Sequence, residues 1–169
     1  MTLSSYSQSV VYDQTNSTGV RTVICSGINT GTSNSMDAYI TLAGFKYKST
    51  VRYSLAVSIG SGSAIDIPQN SAMFITLANG KVIECPTVAG GSSVLQSIDV
   101  ELGDVYQTFK RFAYYNIKEK NLKKIVRSPI IQIDMQLNPS DYSVAFKNNQ
   151  LGNVLISDFG ILKNIFESD

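Results

Sequence analysis

The 169-residue chain has no histidine and no tryptophan. Histidine is the side chain whose ordinary pKa lies near neutrality, the default general base and a common metal ligand. Its absence excludes Ser-His-Asp and Cys-His catalysis and the usual zinc-hydrolase ligand sets. Charge is scarce as well: 16% of residues are Asp, Glu, Lys or Arg, against about 25% in an average domain. Ser, Thr, Asn and Gly fill the gap, as in β-rich chains with polar turns. No apolar run approaches the ~18–20 residues needed to span a bilayer, so no membrane insertion is expected. Met1 to Val10 has neither the basic start nor the apolar stretch of a signal peptide. If that terminus is native, the expectation is a cytoplasmic protein; a leader removed beforehand would leave no trace. Cysteine is reduced to Cys25 and Cys85, each within a strand-like segment. A bridge between them needs neighbouring strands; isolated cysteines are more often small buried hydrophobes, and free, buried thiols are expected.

What is present is alternation. A chain of this length fits one domain, residues 1–169. From Thr50 to Ile59, Val51, Tyr53, Leu55, Val57 and Ile59 alternate with polar or small residues, which puts one face on a core. Val20–Ile28, Tyr39–Phe45, Val105–Tyr115, Ile130–Leu137 and Tyr142–Phe146 are further strands. In Ile130–Leu137, Ile131, Ile133, Met135 and Leu137 fall on one face. By the same parity Tyr39, Tyr53 and Tyr115 are expected to be buried. Ser71–Ala78 and Lys81–Cys85 flank Asn79-Gly80, which predicts a two-residue type I′ hairpin with Ala78 opposite Lys81. Asn29–Ser35, Gly60–Ser63 and Ala89–Ser93 read as turns.

Two helices are expected. Asn116-Ile117-Lys118-Glu119 has the form of a capping box, opening a helix near 117–126 whose apolar side is Leu122, Ile125 and Val126, with Pro129 beyond it. From Gln150 to Phe166, Leu151, Leu155, Phe159, Leu162 and Phe166 recur at helical spacing. The fold class is therefore α+β, mainly antiparallel β: a β-sandwich or a strongly bent sheet with a C-terminal helix near 150–166.

Candidate sites are few. Gly60-Ser61-Gly62-Ser63 lacks the lysine and the following helix of a phosphate loop. No serine lies in a G-x-S-x-G or S-x-x-K setting. Asp99, Glu101 and Asp104 have oxygen ligands suited to Ca²⁺, but their spacing matches no EF-hand, and a solvated acidic turn accounts for them. The nine tyrosines alone do not make a sugar site. No cofactor is expected.

The basic segment stands apart. Lys110 to Arg127 holds seven basic residues and one acid, while the rest of the chain holds seven basic and twelve acidic ones. Phe109-Lys110-Arg111-Phe112-Ala113-Tyr114-Tyr115 interleaves cations with aromatics, the chemistry that single-stranded nucleic acid requires. The same pattern arises when a strand alternates core aromatics with solvated charge. On that reading Phe112 or Tyr114 is buried, and the cations are dispersed or paired with acids such as Asp99 and Asp104. Lys110, Arg111, Lys120, Lys123 and Lys124 are the candidate ligand- or partner-binding residues, and a basic face suits an acidic protein partner.

The order of the Thr50–Ile59 strand, the Phe74–Ile83 hairpin, Tyr115-Asn116-Ile117, Leu122-Lys123-Lys124-Ile125 and the Ile130–Met135 strand resembles small β-rich proteins of gut-dwelling Bacteroidota. The resemblance implies a β-rich fold and brings no catalytic residues with it. Taken together, the sequence favours a non-enzymatic binding or protein-interaction module. The alternatives are a histidine-independent hydrolase or lyase using carboxylates or lysine, and a weak nucleic-acid binder through residues 110–127. A protein partner is favoured over nucleic acid, and the oligomeric state is left open.

Overall fold

A computed structural model describes residues 9–168, so most of the stretch Met1–Val10 lies outside the described residues. The strands are β1 (Val10–Thr15), β2 (Arg21–Cys25), β3 (Ile28–Ser33), β4 (Met36–Tyr47), β5 (Thr50–Ser61), β6 (Asp66–Ile67), β7 (Ala72–Leu77), β8 (Val82–Pro86), β9 (Gly91–Ser92), β10 (Val94–Glu101) and β11 (Asp104–Ile117). Helix α1 (Glu119–Arg127), β12 (Ile130–Met135), β13 (Tyr142–Ala145) and α2 (Gln150–Glu167) complete the chain. Seven strands form one antiparallel sheet in the order β1-β2-β4-β5-β11-β10, with β3 also on β4. That sheet curls into a half-barrel, the strongly bent sheet of the two expected architectures. A four-stranded sheet, β13-β12-β7-β8, is the second layer.

Alternation builds the core as expected. On β5, Tyr53, Leu55, Val57 and Ile59 are buried and Val51 half-buried. They face Leu42, Ile40 and Ala38 of β4 on one side and Tyr115 and Ala113 of β11 on the other. The second sheet adds Met73, Ile75, Leu77, Ile83, Ile133 and Met135 to the same continuous cluster. Tyr142 stitches the layers together: its hydroxyl donates to the Gly31 carbonyl at 2.6 Å and lies 2.8 Å from Thr30 Oγ1.

Helix α2 closes the inner face with Leu151, Leu155, Leu162 and Phe166 buried, as its spacing predicts, while Phe159 is partly buried edge-on to Tyr53. A β-carbon on Gly44 would overlap the Phe166 ring, so glycine is what lets the helix approach β4. Asp158, fully buried on α2, fills a gap in the sheet. On one edge β4 pairs β2 through Ala43–Lys46 and β3 through Met36–Ile40, which leaves Thr41 and Leu42 without a ladder partner on that edge. There the Leu42 N–H donates to Asp158 Oδ2 at 3.3 Å and the Thr41 hydroxyl donates to it at 3.1 Å. Burial pushes the Asp158 carboxyl up to about 6, against the lowering effect of the Leu42, Thr41 and Cys25 hydrogen bonds. Cys25 and Cys85 are free and fully buried, and burial pushes both thiols up to about 12.

Several local expectations are corrected. At Asn79-Gly80 the register is Thr76 opposite Val82, and Leu77 N donates to the Lys81 carbonyl. Ala78 is therefore in the loop, not opposite Lys81. The Ala78 N–H is taken by the Pro129 carbonyl and the Asn79 N–H by Ser128 Oγ, and only Gly80 of the loop has positive φ. A three-residue loop with a left-handed glycine results. Asn29–Ser33 is strand rather than turn, and the reversal is Asn34-Ser35, both with positive φ. Ala89–Ser93 contains β9. Asn116 remains in β11, where its side chain accepts from Ser54, so no capping box forms and α1 begins after Lys118. A register shift between Ile130 and Gln132 turns Ile130 inward and leaves Ile131 exposed. Tyr39 is exposed on the outer face, unlike Tyr53 and Tyr115.

Candidate functional site

The basic segment does not form one surface. Lys110 lies exposed on the outer face of β11, opposite Gly60. Arg111, the next residue, necessarily points to the inner face, where its guanidinium donates to the Gly90 carbonyl at 3.0 Å and its Nε is buried without a partner. Arg111 is thus a prop for the loop carrying β9. Phe112 is exposed and Tyr114 half-buried, edge-on to Phe45 with ring centroids 5.6 Å apart. Neither ring is fully buried, contrary to expectation. Lys120, Lys123 and Lys124 lie on α1, beyond the far end of β11, with Leu122 and Ile125 beneath them in the core. Lys123 pairs with Glu119 at 2.9 Å, not with Asp99 or Asp104.

Lys120 and Lys124, but not Lys123, instead border a cleft of about 810 Å³ between the ends of the two sheets. Its apolar surfaces include Val51, Tyr53, Ile83 and Ile117. Around them stand Arg52, Lys118, Lys120 and Lys124 against Glu84 and Glu119, and Glu119 is already paired to Lys123. The cleft therefore mixes apolar surface, offered mainly by Val51, Val82 and Pro86 while Tyr53, Ile83 and Ile117 are almost wholly buried, with the polar Asn116 and Asn121, and carries more cations than acids at its edge.

The opposite end of β11 carries a feature that sequence reasoning missed. Strands β10 and β11 run on beyond the body of the sheet as a two-stranded arm, paired from Val94–Lys110 to Glu101–Asp104. Cross-strand pairing fixes its faces. Leu95, Ile98, Val100 and Val105 continue the inner face of the sheet, yet all four are exposed. Ser97, Asp99, Glu101, Asp104 and Tyr106 form the other face. At the tip, Leu102 and Gly103 make the two-residue turn with φ of +51° and +89°. A left-handed leucine is rare, because its β-carbon crowds the backbone at a cost of about 1–2 kcal/mol; Asn or Gly is the usual choice. Leu102 is also fully exposed, at 101%. The signal was in the sequence as Ile98, Val100, Leu102 and Val105 around Gly103, but alternation alone reads as burial.

Another concavity, about 520 Å³, lies on the outer face of the sheet among Phe45, Tyr47, Tyr114 and Arg52. Compared with protein-family models, with curated protein sequences and with solved structures, the chain matches none.

Proposed function

We propose that this protein is a non-enzymatic interaction module and that the β10–β11 arm is the element it presents to a protein partner. One observation carries the reading: a fully exposed leucine held in a left-handed turn at the tip of an arm whose apolar face no described residue covers. Contiguous uncovered apolar surface marks interaction sites, and strained backbone concentrates where function requires a particular presentation. Active sites gather several shifted titratable groups in one cleft; here Asp158, Cys25, Cys85 and Tyr115 are shifted by burial inside the core, and Tyr53 at the cleft is raised first by burial and then by Glu119 and Glu167. The acidic outer face of the arm disfavours nucleic acid and anionic lipid as its target, since both are polyanions.

The test is photo-crosslinking in the cells that make the protein, with a photoreactive amino acid at position 102 and a control at exposed position 147. Discrete adducts from 102 that are absent from 147 are expected. No adduct from 102, or the same ones from both positions, overturns the reading.

A further inference from the structure

Resting on that reading of the arm, we infer that its partner is a second copy of this chain, joined head to tail: Leu102 of one molecule enters the α1-end cleft of the next. The two surfaces are complementary in charge. The tip is an apolar knob flanked by Glu101 and Asp104, with Asp99 on the same face. The cleft offers Val51, Val82 and Pro86 as apolar surface, and four cations, Arg52, Lys118, Lys120 and Lys124, outnumber Glu84 and Glu119 around it. No ion pair among the described residues neutralises Glu101, Asp104, Lys118, Lys120 or Lys124. Opposed fields of this kind steer encounter and fix register.

The geometry excludes self-closure. The tip precedes β11 and the cleft follows it, and an extended strand of this length separates its ends by about 40 Å. One molecule therefore cannot fill its own cleft, and each carries both halves of the contact. Such a contact closes as a reciprocal pair, each tip in the other's cleft, or propagates as a ring or an open chain. The strain at Leu102 is then explained: the left-handed turn holds the side chain outward as a knob, and the acids beside it guide the knob to a basic rim.

Sedimentation velocity on the purified full chain, across a concentration series at low salt, tests the inference. Concentration-dependent association into dimers or larger species is expected, falling with added salt as exposed charge is screened. Leu102→Asn is the informative variant, because Asn suits the turn better and the fold is preserved; it is expected to stay monomeric with an unchanged circular dichroism spectrum. Glu101→Lys with Asp104→Lys, and separately Lys118→Glu with Lys124→Glu, are each expected to weaken association at least about tenfold, on the order of 1.4 kcal/mol. Mixing the two variants is expected to restore it. A monomeric wild type at every concentration, unchanged association by Leu102→Asn, or no rescue on mixing overturns the inference. So does a closed dimer in which Leu102→Cys cross-links to its own counterpart. If wild type is monomeric but position 102 still cross-links to a different protein in cells, self-association fails while the interaction-module reading stands.

Discussion

The β4–β5 hairpin and the β10–β11 arm are built on the same plan and end in opposite environments. Both are antiparallel ladders joined by a two-residue turn whose first residue is left-handed, Lys48 in one and Leu102 in the other. Both alternate apolar with polar or small side chains over most of their length. Over the first, α2 and the four-stranded sheet close, and Leu42, Leu55 and Ile59 lose all exposure to water. Over the second no described element closes, and Val100 on the same face of the continuous sheet is 71% exposed. Alternation sets which face is apolar; a covering layer decides whether that face is core. In the arm the same pattern produces a surface.

The sharpest way to break this comparison is to cut side chains from the covered hairpin. Leu55→Ala is expected to cost about 2–5 kcal/mol in a urea titration, since a fully buried leucine leaves a cavity that the sheet cannot collapse into. A loss under about 1 kcal/mol would mean the inner face is looser than its packing indicates.

The covering helix can be probed through Asp158. Its folded-state pKa of about 6 lies above the ordinary 3.8, so the folded protein binds the proton more tightly than the unfolded chain. The stabilisation from this group is complete below about pH 3.8, lost as pH rises to about 6, and constant above. The difference is on the order of 2–3 kcal/mol. Comparing urea midpoints at pH 4 and 7 for wild type and Asp158→Asn isolates it. The variant is expected to lack this part of the pH dependence, and parallel profiles would refute the assignment.

Gly44→Ala tests the contact between α2 and β4 from the other side. Forcing a methyl group against the Phe166 ring is expected to cost about 1–3 kcal/mol, read as a lower melting temperature. In a Phe166→Ala background the penalty is expected to shrink, because the clash is gone. Equal penalties in both backgrounds would place the strain elsewhere.

The smallest effect is expected in the arm. Val100→Ser, measured at dilution, is expected to change stability by no more than about 0.5 kcal/mol, as for other exposed positions. A loss approaching that of Leu55→Ala would show that the arm is covered within a single molecule.

The body of the fold was legible because period-two alternation and helical spacing are set by which face meets the core. That is why β5, β7 and α2 fall where the sequence predicts. The errors arose where a distant group outbid a local rule. Ala78 and Asn79 bond to Pro129 and Ser128, which displaces the type I′ turn. A register shift flips Ile131 outward, and Ser54 engages the Asn116 side chain that would otherwise cap α1. Polar β3 was read as a turn because its pairing with β4 depends little on apolar side chains. The candidate site was half legible. Lys120 and Lys124 do border a cleft, but Lys110 and Arg111 diverge because consecutive strand residues face opposite ways. The arm was invisible as a site, since sequence gives parity but not the reach of the opposing layer.

The two sealed thiols turn the protein into its own clock. At neutral pH Cys25 and Cys85 are protonated and unreachable, so an alkylating reagent can modify them only during openings of the structure. Cys25 sits where α2 meets the break in β4; Cys85 sits in the second sheet. Matching labelling rates would mean the two layers separate in one event, and a faster Cys25 would mean the helix swings away first. A cysteine engineered on the surface would meanwhile react alone, leaving the native pair as a silent internal timer.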